Sequence, residues 1–160
     1  MSFQFIMPKQ IFYGENALST AAEHICALGK KALVVTDPMM VKLGNTAKIT
    51  EILDKGGTRY AIFDGVISEP TDRIIEAGLK VWNDEKCDFL IAVGGGSPID
   101  AAKAMWIKYE YPDVTFEDMC KVFGLPKLRK KAHFCAISST SGTATEVTAF
   151  SIITDYQKGI

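Results

Sequence analysis

Two kinds of hydrophobic pattern alternate along this chain: short apolar blocks, and longer segments in which apolar residues recur at helical spacing. The blocks run from Lys31 to Val35, Arg59 to Phe63, Phe89 to Val93 and His133 to Ile137. Short blocks of this kind, bounded by turn residues, predict strands, and Lys31 to Val35 is of the buried type. Between them, Asn16 to Leu28 puts Ala17, Leu18, Ala21, Ala22, Ile25 and Leu28 on one side and stops at Gly29. Thr46 to about Lys55 turns Ile49, Ile52 and Leu53 inward and ends at Gly56-Gly57. Thr71 opens a helix from Asp72 to Asn83, with Ile74, Ile75, Leu79 and Trp82 available for packing. A further helix is predicted from Pro98 to about Lys108, and a short one near Phe116 to Val122 after the turn at Tyr111-Pro112-Asp113. Short strands are expected at Phe3 to Met7 and Gln10 to Tyr13, and the alternation from Val147 to Thr154 predicts a last one.

Strands separated by helices of about ten residues require crossover connections, which give a mainly parallel sheet. The expectation is one α/β domain over residues 1–160, doubly wound and Rossmann-like, with no internal repeat or interdomain linker. Residues 151–160 read as a strand, a turn and the first residue of a returning strand. The chain therefore reads as cut within a hairpin from something longer, a frayed natural tail being the other reading.

Composition narrows the partners. With 48% apolar and 23% charged residues, the chain has the make-up of a soluble globular protein. A net charge of −1 argues against nucleic acid, and the basic cluster Lys127 to Lys131 has no interleaved aromatics and reads as a solvated loop or helix end. No apolar run approaches the ~20 residues of a membrane helix, and no signal peptide is visible at the N-terminus. Cys26, Cys87, Cys120 and Cys135 are widely spaced, which fits reduced thiols and a cytoplasmic location.

The chemistry concentrates where the third block runs into Gly94-Gly95-Gly96-Ser97-Pro98. Strand, glycine turn and helix start, in that order, form a phosphate-binding arrangement: glycine lets backbone N–H groups approach an anion with no Cβ between them. Ser97 is expected to cap the helix and Pro98 to occupy its first position. The spacing is not that of the G-x-G-x-x-G fingerprint, since Ser97, Pro98 and Ile99 stand where further glycines belong. Asp37 follows a predicted strand at the carboxyl edge of the sheet, where a carboxylate can accept hydrogen bonds from ribose hydroxyls and repel a 2′-phosphate, favouring NAD over NADP. The other reading of Asp37 is a cap for Pro38-Met39-Met40. Ser138 to Glu146 holds six hydroxyl residues and a glycine after another strand, suited either to a pyrophosphate or nicotinamide amide or to a plain polar connection.

The whole chain resembles the iron-containing (group III, metal-dependent) alcohol dehydrogenases, and within them the N-terminal nucleotide-binding domain. The likeness rests on Phe-x-Met-Pro followed by Ile11-Phe12-Tyr13-Gly14, on Val35-Thr36-Asp37, on Gly94-Gly95-Gly96-Ser97-Pro98-x-Asp100, and on Ser141-Gly142-Thr143-x-Thr145-Glu146-Val147-Thr148. It implies that Asp37 binds the adenosine ribose, and that Gly95, Gly96 and Ser97, with Pro98 beside them, hold the pyrophosphate. Ser139, Thr140 and Thr143 would then lie along the cofactor toward the nicotinamide. At Glu69 many relatives carry Asn.

Relatives are more than twice this length and hold a divalent metal, iron or zinc, through one Asp and three His of a C-terminal helical domain. Nothing in this chain matches those ligands, and His24 and His133 read as structural or surface residues. Hydride transfer between an alcohol and a nicotinamide needs a Lewis acid or an equivalent proton acceptor. The parent is therefore expected to be an NAD-linked dehydrogenase of a primary alcohol or diol, and a homo-oligomer. The 160-residue piece should bind NAD weakly and turn nothing over. A glycerol dehydrogenase or dehydroquinate synthase-like domain is the neighbouring reading, and a non-catalytic nucleotide-binding module the third.

Overall fold

A computed structural model describes residues 7–121 and 124–155. Its elements are α1 (Ala17–Cys26), β1 (Lys31–Val35), α2 (Pro38–Lys42), α3 (Asn45–Lys55), β2 (Arg59–Phe63), α4 (Asp72–Asp84), β3 (Phe89–Gly94), α5 (Gly96–Glu110), α6 (Phe116–Met119) and β4 (His133–Ser138). The four strands form one parallel sheet in the order β2-β1-β3-β4. Its side chains alternate between two cores, as a period of two residues requires. Ala32, Val34, Phe89, Ile91 and Val93 meet Ala21 and Ile25 of α1 and Ile49 and Leu53 of α3. Leu33, Val35, Leu90 and Ala92 face the other way, onto Ile75 and Trp82 of α4 and Ile99 and Met105 of α5. The expected doubly wound α/β fold is therefore present. Strand order reverses between β1 and β3, so the crevice beyond their carboxyl ends is the place where open sheets of this kind bind ligands.

Several expectations need correction. Gln10 to Tyr13 is not a strand; Phe12 leans on His24 with ring centroids 5.1 Å apart, and Tyr13 is exposed. Met7 is also outside any strand, and residues 3–6 of that expectation lie outside the described residues. A helix missed in the sequence, α2, follows Asp37 directly. The short helix after Thr115 stops at Met119.

Val147 to Thr154 is not a strand either. Thr154 makes a single parallel bridge to Thr71, donating its amide to Pro70 O at 2.9 Å. Upstream, the Ile152 amide donates to Asp100 and the Phe150 carbonyl accepts from Lys103. Side chains of α5 satisfy backbone groups that a sheet ladder would otherwise have to satisfy. The hairpin expected beyond it falls on residues 156–160, outside the described residues.

Candidate functional site

Helix α5 begins two residues earlier than its sequence pattern indicated. Gly95 is its N-cap, with no side chain closing the cap, and Ser97 and Pro98 lie inside the first turn rather than at the cap and first position. Proline is tolerated there because amides of the first turn have no intrahelical acceptor to lose. The same fact leaves the amides of Gly96 and Ser97 pointing outward from a positive helix end.

Gly94 makes the bend. Its φ of +144° lies where L side chains are rarely found, and a Cβ there would sit 2.8 Å from Pro98 Cγ and 3.2 Å from Asp37 Oδ2. At Gly95 a Cβ would stand 3.3 Å from Thr140 Oγ1, and at Gly96 it would stand 3.4 Å from Thr145 Oγ1. The β4 loop is thus folded down onto the glycines. Its position is fixed by the Ser139 amide, which donates to Gly94 O at 2.8 Å, and by Ser138 Oγ, which donates to Thr140 O at 2.8 Å.

Asp37 N-caps α2, accepting from the Met40 amide at 2.9 Å through Oδ1. Its other oxygen is turned toward Gly94, which puts the carboxylate beside the glycine bend at the sheet's crossover point. Next to it, Thr36 Oγ1 donates to Val93 O at 2.9 Å and locks the ends of β1 and β3 together.

An open cleft of about 370 Å³ lies at the start of α5. Gly96, Ser97 and Thr143 form part of its lining, as the sequence led one to expect. Asp100, Ile152 and Thr154 line it as well, and these were missed. A legible signal for Asp100 existed. Asp100 and Lys103 are two charges one turn apart, set among Ile99, Ala101, Ala102, Ala104 and Met105, and both are buried. Ser97 Oγ donates to Ser68 O at 2.7 Å, so its hydroxyl is spent on the loop that forms the opposite rim, where Glu69 stands.

The structure therefore gathers Asp37, Gly95, Gly96, Ser97, Thr140 and Thr143 around one end of the sheet. Pro98 packs its ring at Gly94, and Ser139 contributes its backbone N–H to the bend. Side-chain-free glycines, outward amides and a hydroxyl-lined wall suit a phosphorylated nucleotide, and a Cβ at the glycines would crowd that space. For a metal the fit fails. Among the described residues, no three His, Cys, Asp or Glu side chains converge, so no step through a metal is derived from this chain. None of the described helices is long and apolar enough to cross a membrane.

Similarity to known proteins agrees with this geometry. The family model for iron-containing alcohol dehydrogenase matches residues 8–160. A protein of Clostridium saccharobutylicum named NADPH-dependent butanol dehydrogenase is 45% identical over 98% of the chain and 40% of its own length. Lactaldehyde reductase of Escherichia coli is 38% identical over 99% of the chain and 41% of its own length. Among solved structures, that of a 1,3-propanediol oxidoreductase superposes with a TM-score of 0.90 at 34% identity, covering the whole chain and 41% of that protein. The chain spans about two fifths of the length of these relatives. With its glycine bend, its sheet order and 153 of its 160 residues (8–160) inside the family model, this chain belongs to the iron-containing alcohol dehydrogenase family.

Proposed function

We propose that the chain forms the nucleotide-binding domain of a nicotinamide-dependent alcohol dehydrogenase, with the cofactor diphosphate at the start of α5. The observation that carries this reading is the set of open amides at Gly96 and Ser97 beside a bend that admits only glycine. When bound, the nicotinamide cofactor supplies the hydride acceptor or donor. Gly95 and Gly96 leave room for the diphosphate, and Thr140 and Thr143 border its path toward the nicotinamide end. Substrates of this class are small alcohols or aldehydes, in keeping with the names of the similar proteins.

NAD is the preferred dinucleotide in this reading. The Asp37 carboxylate at the end of β1 can accept from both ribose hydroxyls, whereas a 2′-phosphate there would meet a like charge. The similar butanol dehydrogenase is named NADPH-dependent. Calorimetric titration of this chain with NAD⁺ and with NADP⁺ tests the point. Tighter binding of NAD⁺ is expected, and equal or tighter binding of NADP⁺ would remove Asp37 from its assigned role. Assembly into a homo-oligomer and a cytoplasmic location complete the proposal; light scattering tests the first.

A further inference from the structure

The first turns of α5 do more than present amides. Asp100 and Lys103 lie just past the glycines, both buried, with Lys103 Nζ 3.6 Å from Asp100 Oδ1. Neither side chain is spent wholly on the other. Asp100 Oδ2 accepts from the Ile152 amide at 3.1 Å, while Lys103 Nζ donates to Phe150 O at 2.8 Å and to Thr148 Oγ1 at 3.4 Å. Among the described residues Asp100 Oδ1 accepts no hydrogen bond, nor does the buried Glu146 Oε2. Burial draws Lys103 below the ordinary lysine value, against the pull of Asp100 and Glu146.

A buried ion pair is expensive to desolvate and is weak evidence for stability alone. Here it has a geometric result. Among the described residues the segment from Thr148 to Thr154 makes no sheet ladder, yet Ile152 and Thr154 line the cleft opposite Gly96. That segment is held by Asp100 and Lys103 at one end and the Pro70–Thr154 pairing at the other, with Ile153 packed against the core between them.

We infer that Asp100 and Lys103 are positioning residues that hold residues 148–154 in place as the outer wall of the cofactor cleft. The inference rests on the cofactor reading of that cleft, but the fastening of the wall can be measured without cofactor. Removing only one charge would strand the other, so the informative variant is the double change Asp100→Leu with Lys103→Met, which removes the acceptor and the donor together and leaves neither member of the pair alone. The single change Lys103→Arg keeps the cation, and Lys80→Met, in an exposed pair with Asp84, is the control.

Amide hydrogen exchange, thermal unfolding and NAD⁺ titration are read on each. In the double variant the Ile152 and Thr154 amides should lose about tenfold in protection and NAD⁺ affinity should fall about five- to tenfold, as expected when ordered contacts worth a hydrogen bond or two are removed. Amides of β1 and β3 should keep their protection, and Lys103→Arg should recover part of both losses. Unchanged exchange at Ile152 would overturn the inference, as would an NAD⁺ affinity untouched by release of the segment. If the unaltered chain failed to bind NAD⁺, the cofactor reading would fall. Lost protection at Ile152 would still support the fastening, and retained protection would sink it.

Discussion

Ser97 and Ser68, 29 positions apart, are joined by a 2.7 Å hydrogen bond from the Ser97 hydroxyl to the Ser68 carbonyl. The bond ties the start of α5 to the loop that rims the cleft. It also means that the hydroxyl of the serine in the glycine turn has its acceptor within the chain. Ser97→Ala should cost about 1 kcal/mol or less, the usual worth of an exposed hydrogen bond. Denaturant unfolding and NAD⁺ titration check this together. A several-fold loss of affinity through a loosened rim is expected, and unchanged affinity would leave the tie without a binding role.

Asp37 has two tasks that substitutions can separate. Asn caps a helix about as well as Asp, so Asp37→Asn should retain the bond to the Met40 amide and the melting temperature. It should also lose discrimination against NADP⁺. Asp37→Ala should lose both, with a stability cost of about 1 kcal/mol. Melting curves beside titrations with each dinucleotide make the comparison.

The glycines of the turn are not equivalent. Gly94→Ala places a methyl at a φ of +144° against the Pro98 ring, and should destabilise by about 1–3 kcal/mol. Gly96 is already helical, and its Cβ would make ordinary contacts with Thr143 and Thr145. Gly96→Ala should therefore melt like the parent sequence and still bind NAD⁺ about tenfold more weakly, because the methyl projects where the diphosphate must approach. Equal affinity would contradict the assigned path.

Periodicity carried most of this fold into view. The apolar blocks of β1 and β3 and the amphipathic faces of α1, α3 and α4 stand in the sequence at the spacings that the two cores use. The misread parts share a physical cause: their backbone partners are distant side chains. Val147 to Thr154 alternates like a strand, but Asp100 and Lys103 take its hydrogen bonds. The start of α5 was misplaced because Ser97 and Pro98 suit a cap and a first position by type, while Gly94 supplies the bend that lets the helix begin sooner. Near the other end of α5, Glu110 is a further case. Its buried carboxylate accepts from Trp106 Nε1 and from the amides of Arg129, Lys130 and Ala132, turning the basic stretch into a folded loop. Nothing local marks that role.

Two thiols set a pH dependence. Burial pushes Cys87 and Cys135 up to about 11, from 9.0. Below pH 9 the folded and unfolded chains both hold these protons and the contribution is fully present. As pH rises from 9 toward 11, the unfolded chain releases them first, so stability falls. Lys103 acts in the opposite sense below 10.5. The thiol effect is therefore read as a difference: the slope of unfolding free energy between pH 8.5 and about 10.5 should be shallower in Cys87→Ala than in the parent chain. Identical slopes would remove the thiol from the account.

The most direct test of the site follows backbone amide resonances while NAD⁺ is titrated to saturation. The largest shifts are expected at Gly95, Gly96 and Ser97, with smaller ones at Thr140 and Thr143. Saturable binding that leaves the amides of Gly95 to Ser97 unmoved would contradict the placement of the diphosphate at the start of α5.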